Sequence, residues 1–470
     1  MPRHDERPAS RRHSTYISSN RSALSERLRR MGTITDLPPE LLEHIMKMRV
    51  HDSSGAATAR SAEAVHRCSP FDYKLTHVCQ RWRCIALACS ALWSTIHLSK
   101  APEWIELCLT RCPNGPLDLH IHVQALWIEP QLRQAIQMIL PHLHRARSID
   151  LHLGLDLLHL DHRGRQEIVF LIDVLEALTN TIASHTASIL EEMDVNFPYQ
   201  LVDAFIRSPN FPLTEEVRRE QVARLRDISF TDHLARKATS LRASSLFHLV
   251  LYNVQCWHDI DGVIEFLQAT PLLGRFVYHL PRIQDDGVPF NATRSHIYPL
   301  RCVRLDDLRY LELDTMFAVQ VAIFSYVAIP LSTEVHTFGF YDTHDDEISN
   351  THAAMLSEAL VCHFTSRQLA VDACFDKVSL DIFSVYATIS LPRTQANKGL
   401  PAHFEFSFSS DMRLAQISQI VHACLSLPLM HEADEIELGE GMHDRFPTLI
   451  DDIISSIPKH RLYLPWRHEP

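Results

Sequence analysis

Glycine is scarce in this chain, 12 residues in 470 against 25 prolines. Folds that cradle phosphates on glycine-rich loops are therefore excluded at the start. The closest glycine pair, Gly439 and Gly441, has neither a third glycine nor a P-loop lysine beside it. GxSxG and HExxH are also missing, and His431-Glu432 runs on into Ala-Asp-Glu, which breaks the zinc-protease pattern. Long apolar runs are absent too. Met316 to Ile329 comes nearest, but it contains Gln320 and Ser325 and is closed by Pro330. It falls short of the about 20 residues a span needs and reads as a buried helix. No apolar signal peptide precedes the body, since residues 1–32 are polar and arginine-rich. The 11 cysteines are odd in number and never form CxxC. A reducing compartment, cytoplasmic or nuclear, with cysteines as small buried hydrophobes, is the expectation.

What the chain does contain is an ordinary globular mixture, 46% hydrophobic and 22% charged. That excludes a fully disordered or fibrous protein. Its length suits roughly three domains or one long solenoid. Charge is unevenly spread. The net charge is -12, yet residues 1–32 carry eight arginines against three carboxylates, so the remainder stands at -17. An acidic body argues against a general nucleic-acid binder. The basic head is expected to be a disordered, solvated tail, with a nuclear-import or mitochondrial-targeting tract as alternatives.

Residues 33–100 read as a small helical domain. Asp36 stands where an N-cap belongs, and Pro38 and Pro39 suit a first turn whose amides lack intrahelical partners. Leu37, Leu41, Ile45 and Met48 recur at helical spacing, with Leu42 and Met46 widening the stripe. His51 to Pro70 is small, polar and aperiodic, and predicts a loop. Leu75 to Ile96 then predicts an amphipathic helix through Leu75, Val78, Cys79, Trp82, Ile85, Ala86 and Cys89, followed by an apolar plug, Leu92-Trp93.

From residue 101 short strands alternate with helical stretches. Strands are expected at 117–123, 148–153, 192–197, 226–230, 246–251, 275–280, 309–313, 335–340, 378–383, 403–408, 434–438 and 461–464. Helices are expected at 168–183, 260–267, 316–329, 414–425 and 449–456. A helix, a short proline-containing connection and a strand recur, as in 266–280, 324–340, 423–438 and 453–464. One helix and one parallel strand per unit describes an α/β fold of irregular leucine-rich-repeat-like units over 101–470, with a compact α/β domain as the alternative. In 309–313, alternation turns Leu311 and Leu313 inward and Glu312 outward, where its replacement by lysine is expected to be nearly silent.

Candidate chemistry is thin. His120 and His122 share a strand face, but Leu117, Leu119, Ile121 and Val123 occupy the other, so the histidines read as its polar side. His142/His144 and His159/His162 have no accompanying ligand pattern. Cys79, Cys84 and Cys89 are five residues apart, about 140° on a helix, and cannot converge on one ion. The acidic run Asp342 to Glu347 reads as a solvated loop. No catalytic residue, cofactor or metal is expected.

LPPELLEHI (37–45) followed by LTHVCQRWRCIALACSALWSTIHL (75–98) resembles the F-box domain, in the form common in fungal F-box proteins. The matching positions are Leu37-Pro38-Pro39-Glu40, Leu41, Leu42 and Ile45, then Val78-Cys79, Trp82-Arg83, Ala86 and Leu92-Trp93. The insertion 51–70 departs from the family pattern. Trp104 through Leu119 looks like the helix-to-strand junction that follows such domains, and the later units look like the family's leucine-rich-repeat-like region. The resemblance implies a non-enzymatic adaptor that docks onto the linker subunit of a cullin–RING (SCF-type) ubiquitin ligase. Leu37, Pro38, Pro39, Leu41, Leu42, Ile45, Val78 and Trp82 would make that contact, and 101–470 would hold a protein substrate. The competing expectations are an interaction scaffold without ubiquitin transfer and, with no nucleophile motif behind it, an α/β-hydrolase-like enzyme. Neither nucleic acid nor membrane is an expected partner.

Overall fold

The computed structural model describes residues 37–55, 77–98, 101–123, 130–153, 189–196, 224–231, 244–254, 256–280, 290–340, 350–365, 377–382, 386–390, 404–409, 414–427, 433 and 435–464. The basic tail and the expected helix 168–183 lie outside them. The chain divides into two compact units: Met1–Ile96 with Leu107–Gly115, and His97–Glu106 with Pro116–Pro470.

The first unit holds helix α1, Pro39–Gly55, and helix α2, Gln80–Ala88, packed on one another. The Pro38 carbonyl accepts the amides of Leu41 and Leu42, so the proline pair opens α1 as its missing N–H groups allow. Two expectations need correction here. Residues 51–55, read as loop, continue α1, while 56–70 lie outside the described residues. Helix α2 is shorter than the 75–96 stripe implies. Val78 and Cys79 precede it, and Cys79 is extended at φ -160°. At the far end Cys89 turns extended, a 3₁₀ turn follows over Ser90–Leu92, and strand β1 begins, Thr95–His97. The termination has a physical cause. Trp93 Nε1 donates to the Ala86 carbonyl at 2.9 Å, satisfying one of the acceptors a helix end leaves orphaned. Leu92 and Trp93 plug the interior beneath it.

Helix α3, Pro102–Arg111, supplies its first residues to the second unit and its last to the first. Strand β2, Leu117–Val123, follows, then helix α4, Pro130–Ile139, and strand β3, Ala146–Leu153. Strands β4 (Glu192–Asn196), β5 (Asp227–Thr231) and β6 (His248–Tyr252) come next. Helix α5, Ile260–Gln268, leads to β7, Arg275–His279. Then come β8 (Val303–Arg304), β9 (Tyr310–Met316), α6 (Phe317–Tyr326), β10 (Val327–Ala328) and β11 (Glu334–Phe340). Helix α7, Asn350–Phe364, precedes β12 (Lys377–Ile382), β13 (Tyr386–Ser390) and β14 (Phe404–Ser409). Helix α8 (Leu414–Leu425), β15 (Glu435–Leu438), α9 (Glu440–Arg445), α10 (Pro447–Ser456) and β16 (Leu462–Tyr463) finish the chain.

Among the described residues, fourteen strands form one sheet, in the order β1-β2-β3-β4-β5-β6-β7-β9-β11-β14-β13-β12-β15-β16, while β8 and β10 pair separately. From β2 to β11 the neighbours are parallel and follow chain order. Beyond β11 that order breaks. Strand β14 comes back to lie parallel to β11, and β13 runs antiparallel to both β14 and β12. The result is a mixed α/β fold built on a large, mainly parallel sheet. Every expected strand has a counterpart; β1, β8, β10 and β13 were not anticipated.

Alternation is why the sheet has one core face. Leu119, Ile121, Ile149, Leu151, Leu249, Leu251, Leu311, Leu313, Phe404 and Phe406 are all 3% exposed or less, and the residues between them point the other way. A parallel sheet covered on both faces would read instead as continuous apolar runs. Helix α6 packs on β9, β11 and β14 from the core side and is buried nearly all round, as its sequence requires. Helix α5 starts at an N-cap, Asp259, whose Oδ1 accepts the Gly262 amide at 2.8 Å. At the C-terminal end of α6, Arg301, in a left-handed backbone conformation at φ 60°, donates to the carbonyls of Phe324, Val327 and, at 2.8 Å, Ala359. A cation here meets the negative end of the helix as well as its unpaired acceptors.

Candidate functional site

Two surfaces carry the residues singled out by sequence. The first belongs to α1. Leu42 and Met46 are fully buried, whereas Leu41 is 50% exposed and Met48 47%, with half-buried Ile45 between them. Positions i, i+4 and i+7 of one helix thus present an outward apolar stripe. Pro38 and Pro39 are exposed at its start, Leu37 is half-buried, and Val78, ahead of α2, is 54% exposed. Arg81 Nη2 donates to the Leu37 carbonyl at 2.6 Å and so ties the entry of α1 to α2. Two residues of the expected contact set fall elsewhere. Leu42 at 0% and Trp82 at 6% exposure face the interior of the unit, where they pack rather than meet a partner.

The second surface is the polar face of the sheet. The register lines its side chains into rows across the strands. One row runs Asp118, Ser148, Glu192, Asp227, His248, Arg275, Tyr310, Glu334. The next runs His120, Asp150, Asp194, Ser229, Val250, Val277, Glu312, His336, Glu405. Carboxylates are the commonest group in both, four of eight and four of nine, and the second row is interrupted by Val250 and the buried Val277. Ion pairs bridge neighbouring strands: Arg147 reaches Asp118 with two bonds, 3.0 and 2.6 Å, and, beyond these rows, Lys377 pairs with Glu435 and Glu437 at 2.8 and 2.9 Å.

Histidines on this face are held by carboxylates. Asp150 Oδ2 lies 3.0 Å from His120 Nδ1 and 2.9 Å from His122 Nε2. Burial works to raise the Asp150 pKa, but the bonds from both imidazoles more than reverse it, so the carboxyl ionises well below its ordinary range. The rings form a stack: His97 on His120 at 4.4 Å, His120 beside His122 at 6.3 Å, His122 beside His152 at 5.8 Å. Sequence paired His120 with His122 correctly and missed Asp150, because the third member stands 28 residues away on the next strand.

Glu312 also differs from expectation. It does point to the polar face, but it is not free. His279 Nε2 donates to Oε1 at 2.8 Å and the Tyr310 hydroxyl to Oε2 at 2.6 Å. The His279 bond, opposed by burial and reinforced by Tyr310, lowers the carboxyl to about 2. These bonds lead us to expect that replacement here costs stability. We expect Glu312→Gln to lower stability at pH 7 by about 1.5–3 kcal/mol, the range for a hydrogen bond to a charged group. The depressed pKa means this contribution is full above the unfolded value, 4.5, and is lost as pH falls through about 2. Urea midpoints of wild type and variant should converge across that window; a constant gap would assign the effect to packing.

Among the described residues, the other candidates do not assemble. His144 Nδ1 bonds its own turn at the Pro141 carbonyl, and His142 faces Arg145 at 3.4 Å. Cys79 is half-buried, Cys84 exposed and Cys89 buried, and because Cys79 and Cys89 lie in extended backbone either side of α2 the helical-spacing argument does not apply to them; the three do not form a metal-ligand group. Burial pushes the Cys108 and Cys424 thiols up to about 12, which leaves them inert as nucleophiles at neutral pH. His363 is lowered to about 3 by burial and then by Arg301, so it is a neutral core residue. His159, His162 and the acidic run 342–347 lie outside the described residues. No helix among the described residues is long and apolar enough to cross a membrane. No known family model matches the chain, and no curated protein matches it.

Proposed function

We propose that this chain is an F-box-type adaptor, the substrate-recognition subunit of a cullin–RING ubiquitin ligase. The observation that carries the reading is the outward apolar stripe Leu41, Ile45 and Met48, flanked by Pro38 and Val78, on the segment that resembles an F-box. An apolar helix face bordered by polar groups suits a dry partner interface, and the linker subunit is the partner the resemblance implies. The Leu92-Trp93 plug and buried Trp82 supply the packing that keeps such a stripe rigid. The polar sheet face, in a leucine-rich-repeat-like body, offers the surface for a substrate. Its acidic rows favour a segment rich in lysine and arginine. In this reading no residue of the chain performs chemistry, and ubiquitin transfer belongs to other subunits.

Docking is tested by Pro38→Ala combined with Leu41→Asp. Burial of one leucine is worth about 1.5–3 kcal/mol, so recovery of the linker subunit should drop at least tenfold. Both positions are exposed, so the fold should survive. Unchanged recovery in affinity purification would reject the docking surface. Recovery of the linker without any cullin would make the chain a scaffold that acts without ubiquitin transfer.

A further inference from the structure

We propose that His120, His122 and Asp150 form a site for one divalent transition-metal ion of the zinc class, with at least one coordination position left for water or an incoming ligand. The three donor atoms, one from each side chain, all lie within 4.8 Å of one another. Asp150 Oδ2 is 3.0 and 2.9 Å from the two imidazole nitrogens. A tetrahedral ion with ligand bonds of about 2.0–2.1 Å holds its ligands roughly 3.3 Å apart, so Asp150 stands within tenths of an ångström of that spacing from each imidazole, while the two nitrogens, within 4.8 Å of each other, need to close by about 1.5 Å at most.

Convergence depends on how the strands are built. His120 and His122 are two residues apart on one strand and therefore share a face. His120 sits in register with Asp150 on the neighbouring strand, while His122 reaches the same oxygen diagonally. They use opposite ring atoms, Nδ1 from His120 and Nε2 from His122, and this difference brings two parallel rings to one point. The backbone underneath is a parallel ladder, which is the rigid support a metal site needs. His97 and His152 sandwich the pair from either side and limit ring rotation.

The donor set selects the metal. Calcium and magnesium are held through oxygen, whereas two of the three donors here are imidazole nitrogens. Sites for the softest ions use thiolates, and no cysteine joins this cluster. Two imidazoles and a carboxylate suit Zn²⁺, Co²⁺ or Ni²⁺. Asp150 balances part of the charge, and Asp194, in register with it on the next strand, adds a second anion nearby. The three side chains are 23%, 13% and 29% exposed, so an ion can enter from solvent.

The test titrates Zn²⁺ into full-length, tag-free, chelator-stripped protein against a chromophoric competitor, with Co²⁺ absorption as a second reading. One ion per chain should bind at micromolar dissociation constant or tighter, and Co²⁺ should give the visible bands of a four- or five-coordinate nitrogen and oxygen site. Asp150→Asn, which keeps the shape of the side chain, and His120→Ala with His122→Ala should each weaken binding at least tenfold. Zn²⁺ should raise the melting temperature of the wild type and not that of either variant. The His142→Ala, His144→Ala protein should bind as wild type does. Absence of saturable binding in the wild type overturns the proposal whatever the variants do. Equal binding by a variant whose circular dichroism matches the wild type overturns it as well.

Discussion

Leu313→Asp is expected to unfold the sheet-bearing unit at neutral pH. Leu313 is 0% exposed at the centre of β9, in register with Tyr278 on one side and Thr337 on the other. Neither neighbour carries a counter-charge. An unpaired carboxylate in such a place costs several kcal/mol even after relaxation, or else stays protonated. Against a domain stability of about 5–15 kcal/mol, that loss decides whether the unit folds. The pH dependence distinguishes charge from size. Burial without a partner raises the folded pKa of the new aspartate above its unfolded value of about 3.9. The destabilisation is therefore greatest above the folded pKa and shrinks as pH falls below it. Leu313→Ala should cost about 2–5 kcal/mol at every pH. Urea denaturation at pH 7 and pH 5 checks both. A wild-type midpoint for Leu313→Asp would mean that β9 turns its other face to the core.

Trp82→Ala should be nearly as severe for the first unit. Truncating a buried aromatic typically costs about 3–5 kcal/mol. Here the ring is 6% exposed and shares a small interior with Leu42, Met46, Leu92 and Trp93. Its Nε1 is buried without a hydrogen-bond partner, so little polar compensation is lost and packing accounts for the effect. Hydrogen exchange of the amides in α1 and α2 is the direct measurement: protection should collapse in Trp82→Ala and largely persist in Trp82→Phe. If protection persists in both while partner binding disappears, Trp82 belongs to the interface after all.

Local pattern carried most of the secondary structure and little of the side-chain chemistry. The strands were legible because alternation within five to eight residues reports which face is buried, as in 309–313. Helices 260–267 and 414–425 were legible from their apolar stripes and proline-bounded ends. Errors arose where a tertiary contact overrides the local pattern. The stripe through Cys89 continues the helical period past the point where Trp93 captures the Ala86 carbonyl and ends α2. The polar run after Met48 has no stripe, yet α1 persists to Gly55. Asp150 between two histidines and Glu312 between His279 and Tyr310 depend on strand register, which no window of sequence contains. The same holds for the contact set: Leu41 and Leu42 are equivalent by composition, and only packing turns one outward and one inward.

The return of β14 to the side of β11 also sets where this architecture can change length. Within the main sheet, from β2 to β11 each strand pairs only with the strand before it and the strand after it in that sheet, so a unit gained or lost there leaves the remaining main-sheet ladders able to close up. After β11 that freedom ends. Its open edge is completed only when residue 404 comes back, closing a stretch of chain from residue 340 whose entropy cost is about 3–4 kcal/mol. Meanwhile β15 depends on β12, which depends on β13. An evolutionary duplication or deletion inside 341–438 would therefore strand an edge on each side of the break, whereas one between 117 and 340 would simply make a longer or shorter version of the same protein.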